Sequence, residues 1–145
     1  MNFIKIFLVL GLWFGAGNAR AQVAVIAHKN VPLDSLSKTQ LRDFYSCELK
    51  QWTKGVPVAV VDLKLGSETK EAFYKFLGMT ASRMKSLWLK KMLMGESAEP
   101  LAVKTEEEML QKVATTSGAL GFVSLSKITT NVKTLLIISP AEAKP

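Results

Sequence analysis

The residues best suited to bind a ligand lie where an apolar segment, residues 56–61 (VPVAVV), is followed by GSET at residues 66–69. This pattern predicts a buried strand that leads into the N-terminus of a helix. Such a terminus attracts anions, because its first backbone N–H groups have no acceptor within the helix and the macrodipole is positive there. Hydroxyl and lysine side chains would add donors and charge. The candidate ligand-binding residues are Lys64, Ser67, Glu68, Thr69 and Lys70.

The same pattern also has a purely structural explanation. A serine at the N-cap accepts a hydrogen bond from the first turn of a helix and stabilises it by about 1 kcal/mol without any ligand. Ser67 and Thr69 fit that role as well as they fit ligand binding. The residues alone therefore leave both interpretations open.

Histidine and cysteine each occur once, as His28 and Cys47. An intrachain disulfide, a cysteine metal cluster and a histidine-rich metal site are therefore excluded, and we expect no cofactor. Glu106–Glu108 follow Thr105, which indicates helix capping rather than a metal site. An enzyme would have to combine His28 with Asp62 at one edge of a sheet. No nucleophile or oxyanion hole accompanies that pair, so we expect a protein that is not an enzyme.

The N-terminal segment has the pattern of a secretory signal peptide. Lys5 precedes an almost wholly apolar run at residues 6–16, and Ala19-Arg20-Ala21 gives a small-x-small cleavage pattern. The run is shorter than the roughly 20 residues that a membrane span needs. We therefore predict that residues 1–21 are removed, that the mature chain begins at Gln22 and that the protein is periplasmic.

The composition is moderately basic. The chain has 19 Lys and Arg against 12 Asp and Glu, a formal net charge of +7. In an exported protein this excess suits small anions or anionic surfaces, and a contribution to solubility explains it as well. Export argues against nucleic acid as a partner.

Apolar segments of strand length alternate with segments of helical period throughout the rest of the chain. Strands are predicted over residues 22–28, 58–61, 101–103, 119–123 and 132–138. Helices are predicted to begin at Ser37, Ser67, Thr80 and Thr105. This order predicts one α/β domain over residues 22–138, with a mainly parallel sheet and helices on both faces, and a flexible tail at residues 139–145.

Two side-chain placements follow from the same patterns. Trp52 lies in a polar link, and we expect its large ring to fold back onto the core. In the helix at residues 81–94, Arg83 and Lys90 are predicted to lie on a solvated face, with a binding surface as the alternative. The predicted buried face of that helix consists of Met84, Leu87, Trp88, Leu89, Met92 and Leu93.

The order of these segments resembles the phosphate-binding proteins of ABC phosphate importers, which are type II periplasmic binding proteins, and in particular their short exported relatives. The likeness runs from residue 22 to about residue 138. The segments that carry it are Leu41-Arg42-Asp43-Phe44-Tyr45, Val58-Ala59-Val60-Val61-Asp62, Gly66-Ser67-Glu68-Thr69, Leu87-Trp88 and Gly118-Ala119-Leu120-Gly121-Phe122-Val123.

The resemblance implies a fold and a set of ligands. Full-length members close two α/β lobes on the anion, and the residues matched here correspond to a single lobe. The family holds phosphate through a Ser-Gly-Thr helix start, matched by Ser67 and Thr69, and through an arginine four residues before the serine. This chain has Glu68 at the middle position of that start and Leu63 at the arginine position, and both differences oppose anion binding. Cys47 stands where the short relatives usually have glycine after a helix.

The function implied by the resemblance is that of an exported solute-binding module for phosphate or a similar oxyanion, related to the substrate-binding component of ABC phosphate transport. The alternative is an envelope interaction or assembly protein, built on one lobe and without a role in transport. The implied partners are the oxyanion, a membrane permease or other envelope protein, and a second copy of the chain that would supply the other half of a cleft.

Overall fold

The computed structural model describes residues 22–139, in which five strands and four helices form one α/β unit. The predicted signal peptide and residues 140–145 of the predicted tail lie outside this range. The strands are β1 (Val23–Ala27), β2 (Ala59–Leu63), β3 (Leu101–Val103), β4 (Ala119–Ser124) and β5 (Lys133–Ile138). The helices are α1 (Lys38–Tyr45), α2 (Glu68–Leu77), α3 (Ala81–Leu93) and α4 (Glu106–Thr115), with short 3-10 turns at Thr53–Gly55 and Leu125–Lys127.

The strands form an open sheet in the order β3-β2-β4-β1-β5. Strand β2 pairs in parallel with β3 and β4, whereas β1 pairs in antiparallel fashion with β4 and β5. Four strands therefore run in one direction and β1 runs in the other. The predicted α/β class with a mostly parallel sheet is confirmed.

The direction of β1 decides which residues meet at each edge of the sheet. Strands β2 to β5 all end at one edge, which we call the carboxyl edge. Val23, at the start of β1, pairs with Ser124 and Ile138 and so lies at this edge too. His28 follows the end of β1 and donates its N–H to the carbonyl of Ala119 at 3.0 Å, at the opposite edge.

The hypothetical pairing of His28 with Asp62 is therefore wrong. Asp62 belongs to the last part of β2 and lies toward the carboxyl edge. The hypothesis assumed that the two strands run in the same direction, and the antiparallel β1 separates their ends by the length of the sheet.

Helices cover both faces of the sheet, as predicted. On one face, the ring of Phe73 in α2 stacks on Phe122 in β4, with centroids 4.0 Å apart and planes within 7°. On the other face, α4 lies so close to β4 that a Cβ atom added at Gly121 would be 2.6 Å from Met109 Sδ and 2.9 Å from Val113 Cγ2. A glycine at residue 121 is what permits this close packing.

Trp52 is buried against the core, as predicted, and its indole Nε1 donates to the carbonyl of Gly118 at 2.8 Å. Gly118 itself has φ +71°, and an added Cβ would be 2.1 Å from the carbonyl oxygen of Pro57. The segment before β2 therefore packs directly against the turn before β4. A side chain at residue 118 would overlap Pro57.

The predicted buried face of α3 is only partly correct. Met84 and Trp88 are buried and Leu87 is half-buried, but Leu89, Met92 and Leu93 are exposed. Helix α3 packs through a narrow stripe, and Trp88 Nε1 donates to the carbonyl of Tyr45 in that contact. Within residues 22–139, no second element covers the apolar residues beside the stripe. None of the helices in residues 22–139 is long and apolar enough to cross a membrane.

Candidate functional site

Helix α2 begins at the carboxyl edge, with Ser67 as its N-cap, as the sequence predicts. The Ser67 hydroxyl accepts the N–H of Lys70 at 3.1 Å, and Glu71 makes the first helical hydrogen bond to the Ser67 carbonyl at 3.0 Å. The amides of Glu68 and Thr69 precede that bond and so have no acceptor within the helix. Because capping uses only a lone pair of the serine, its exposed hydroxyl can still donate to a ligand.

The Lys70 side chain turns toward the end of β2 and does not extend into solvent at the start of α2. Its Nζ is 3.4 Å from Asp62 Oδ2 and donates to the carbonyl of Leu63. The Leu63 side chain is only 3% exposed, so the position at which the resemblance implies an arginine is filled by a core residue. A cation nevertheless contacts the backbone of that residue. The charge of Lys70 is largely balanced by Asp62, whereas the side chain of Lys64 is exposed.

Asp62 is buried and joins Lys70 to the core. The phenol of Tyr74 donates to Asp62 Oδ1 at 2.8 Å. Burial raises the pKa of Asp62, and the hydrogen bond from Tyr74 and the charge of Lys70 offset only part of that effect. The pKa of Tyr74 is raised in turn by its own burial and by the neighbouring Asp62 charge. These three side chains form a polar support beneath the first turn of α2.

The Thr69 hydroxyl points into the protein. Thr69 and Ser124 are 6% and 8% exposed, and their oxygens are 2.9 Å apart. Ser124 Oγ is also 2.9 Å from Glu106 Oε1. An ionised carboxylate can only accept hydrogen bonds, so the Ser124 hydroxyl donates to Glu106 and accepts from Thr69. The Thr69 hydroxyl is thus engaged inside the fold, and the residue presents only its backbone N–H at the helix start.

Glu106 completes this relay at the first residue of α4. Its carboxylate also accepts the Ser124 backbone N–H at 2.6 Å and lies 3.1 Å from Lys127 Nζ. Burial by itself raises the pKa of Glu106, but the hydrogen bonds from Ser124 and the interaction with Lys127 outweigh burial and hold that pKa below its ordinary value. The N-termini of α2 and α4 are therefore tied together through the end of β4.

The three consecutive glutamates do not face one another: Glu106 and Glu107 share Lys127, and Glu108 has a partner of its own. Glu107 pairs with Lys127 at 3.1 Å, and the Glu108 carboxylate accepts the Lys104 N–H at 2.8 Å. Thr105 caps α4 by accepting the Glu108 N–H at 3.1 Å. Among the described residues, no group of three or more histidine, cysteine or acidic side chains is arranged to hold a metal ion.

The sequence-predicted site residues thus fall into two groups. Lys64, Ser67 and Glu68 are exposed at the start of α2, while the side chains of Thr69 and Lys70 turn inward. Sequence reasoning missed the parts played by Ser124 and Glu106. For Ser124, the available signal was a polar residue at the end of the apolar strand ALGFVS.

Several solved structures that share this fold are described as phosphate-binding or phosphate-transport proteins. A protein from Clostridium perfringens, assigned as a phosphate ABC transporter substrate-binding protein and solved with bound phosphate, matches 81% of this chain with a TM-score of 0.66 and 23% identity. An ABC-type phosphate transport receptor from Vibrio cholerae matches 81% with a TM-score of 0.63 and 21% identity. The fold is that of a periplasmic-binding-protein-like lobe. At these identities the similarity is one of fold.

This lobe spans less than half of the structures that it matches. It covers 46% of the Clostridium perfringens protein, 47% of the Vibrio cholerae receptor and 40% of a phosphate-binding protein from Stenotrophomonas maltophilia, for which the TM-score is 0.61 and the identity 17%. No family model and no curated protein matches the sequence. The resemblance stated from the sequence is confirmed at the level of the fold.

Proposed function

We propose that this protein is an exported solute-binding module that binds phosphate or a similar small oxyanion at the start of α2, without catalysis. The observation that carries the proposal is the exposed N-terminus of α2 at the carboxyl edge, with Ser67 as its cap. The fold supports it, since the same lobe occurs in the Clostridium perfringens protein that was solved with bound phosphate.

The proposed ligand set has three kinds of donor. The Ser67 hydroxyl and the amides of Glu68 and Thr69 would bind the oxyanion directly, because they meet at one end of the helix where the macrodipole is positive. Lys64 would supply an exposed positive charge. Lys70 would act from behind the site, by holding the Leu63 carbonyl and balancing Asp62.

Two features limit the affinity. The exposed Glu68 carboxylate repels an anion at the same helix turn. The donors also come from one side only, so the bound anion would remain in contact with water. We therefore expect weak binding unless a second surface covers the site. A permease, another envelope protein or a second copy of the chain could supply that surface, and each belongs to the proposal.

Isothermal titration of the protein lacking residues 1–21 with phosphate and sulfate tests the proposal. We expect saturable heat for the native sequence and none for Ser67→Asp. Aspartate caps a helix about as well as serine, so this variant should keep its stability while its charge repels the anion. Ser37→Ala removes the equivalent cap from α1, where Ser37 accepts the Gln40 N–H at 3.1 Å, and should lower stability without affecting binding.

Absence of heat at millimolar phosphate, with the protein folded, would overturn anion binding. If a pull-down then recovered a stable envelope partner, and Ser67→Asp did not reduce the recovery, the protein would be an assembly component instead. Export has its own test, since the secreted form should have a mass that corresponds to a chain starting at Gln22.

A further inference from the structure

Helix α3 exposes a cluster of large apolar side chains at its C-terminal end. Leu89, Met92, Leu93 and Met94 are 52%, 39%, 78% and 59% exposed, and we call these four residues the apolar end of α3. Exposed apolar side chains that lie together indicate a surface that meets another apolar medium.

The same helix is basic along its whole length. It carries Arg83, Lys85, Lys90 and Lys91 and no acidic residue. Lys91 is largely buried and pairs with Glu48 at 2.6 Å. The other three are exposed, and within residues 22–139 they take part in no ion pair. The surface of α3 therefore offers apolar contact at its end, with basic side chains beside it that form no ion pair within residues 22–139.

The charge on this surface disfavours a second copy as the occupant. Two α3 helices packed face to face would place basic side chains of one copy against those of the other, at a cost that no acidic residue of α3 offsets. The partner must instead combine an apolar interior with negative charge.

We propose that the apolar end of α3 inserts into the surface of a membrane that contains anionic lipid. Lys85, Leu89 and Leu93 follow one another at intervals of four residues and so lie in one row on the helix. The apolar end would enter the boundary between headgroups and acyl chains, while Lys85 and Lys90 would remain at the level of the lipid phosphates. This arrangement would hold the protein beside the membrane.

A vesicle flotation assay on the protein lacking residues 1–21 tests this proposal. We expect binding to vesicles of phosphatidylglycerol with phosphatidylethanolamine, little binding to phosphatidylcholine, and weaker binding as salt rises. The double variant L89S/L93S should reduce the bound fraction at least about tenfold, because both leucines lie at the surface and their loss removes the inserted apolar area. Leu65→Ser is the matched control, since Leu65 is 64% exposed but lies between β2 and α2, outside α3.

Four results would overturn the proposal. The first is that the folded protein binds no phosphatidylglycerol vesicles, and the second is that L89S/L93S binds them as well as Leu65→Ser does. Loss of vesicle binding in Ser67→Asp with retention in L89S/L93S would mean that α2 holds a lipid phosphate instead. A concentration-dependent dimer in sedimentation, abolished by L89S/L93S, would show that a second copy covers the surface. The results obtained with L89S/L93S do not bear on the titration of free phosphate, which tests the start of α2.

Discussion

At the scale of single residues, the Glu106 carboxylate decides which way two hydroxyl groups point. Because it accepts the Ser124 hydroxyl at 2.9 Å, that hydroxyl is left to accept from Thr69 at 2.9 Å. An ionised Glu106 therefore keeps the Thr69 hydroxyl away from the proposed anion site. The same carboxylate connects the first turns of α2 and α4 through Ser124. Its removal should therefore lower the free energy of unfolding.

Replacing Glu106 with glutamine should lower the free energy of unfolding by about 1–2 kcal/mol at neutral pH, because charge-assisted hydrogen bonds from Ser124 and Lys127 are lost. The folded pKa of Glu106 lies below its ordinary value. Its contribution is therefore present above the ordinary glutamate pKa and is lost as the pH falls through the folded pKa. Urea unfolding at about pH 7 and about pH 3 measures this difference.

The control for that measurement is Glu107→Gln, because Glu107 shares the partner Lys127 but is exposed. It should shift the unfolding midpoint at neutral pH by less than Glu106→Gln does, because an exposed ion pair contributes little to stability. Equal effects of the two substitutions would mean that the hydrogen bonds between Ser124 and Glu106 contribute nothing to stability.

Cys47 gives a second prediction at this scale. It follows the last turn of α1 with φ +64°, a left-handed conformation that glycine adopts without strain and other residues do not. Cys47→Gly should raise the free energy of unfolding by about 1 kcal/mol. Cys47→Ala keeps a Cβ atom in the left-handed backbone conformation. It therefore keeps the strain and should not raise the free energy of unfolding. A loss of stability in Cys47→Gly would show that packing of the half-buried thiol outweighs the strain.

At the scale of elements, the close contact between α4 and β4 depends on Gly121. Gly121→Ala should lower the free energy of unfolding by about 1–3 kcal/mol, since the added methyl group overlaps Met109 and Val113 and forces α4 outward. Gly66→Ala is the matched control, because nothing lies within 4 Å of its added Cβ. Thermal unfolding of both variants checks the prediction, and similar melting temperatures would contradict it.

The elements were predictable where their signals are local. Ser37 with Gln40, Ser67 and Thr105 each cap the helix that the sequence assigned to them, and Gly78 ends α2 in a left-handed conformation. Such signals involve only a few neighbouring residues. The fold class and the position of the candidate site could therefore be predicted from the sequence.

What escaped the sequence depends on contacts between distant segments. The direction of β1 follows from its pairing with β4, about 95 residues later, and it separates His28 from Asp62. The inward turn of Thr69 depends on Ser124 and Glu106. The exposure of Leu89 and Leu93 depends on there being no element over that side of α3 within the described residues. Local periodicity carries no information about any of these.

At the scale of the whole molecule, all the residues of the proposed site lie at the carboxyl edge of the sheet. The first turns of α2 and α4 meet there, and so do both ends of the described chain, because Val23 pairs with Ser124 and with Ile138. A lobe that spans 46% of the Clostridium perfringens protein thus presents its donors on one open edge. Any partner that strengthens anion binding should approach from this side.

The most direct test of anion binding at α2 is a nuclear magnetic resonance titration of the ¹⁵N-labelled protein lacking residues 1–21 with phosphate. We expect saturable shifts of the Glu68 and Thr69 amides, with the amide of Gln40 at the Ser37 cap of α1 unchanged. Shifts confined to lysine-rich surface segments, or no shift of the Glu68 and Thr69 amides at millimolar phosphate, would contradict it.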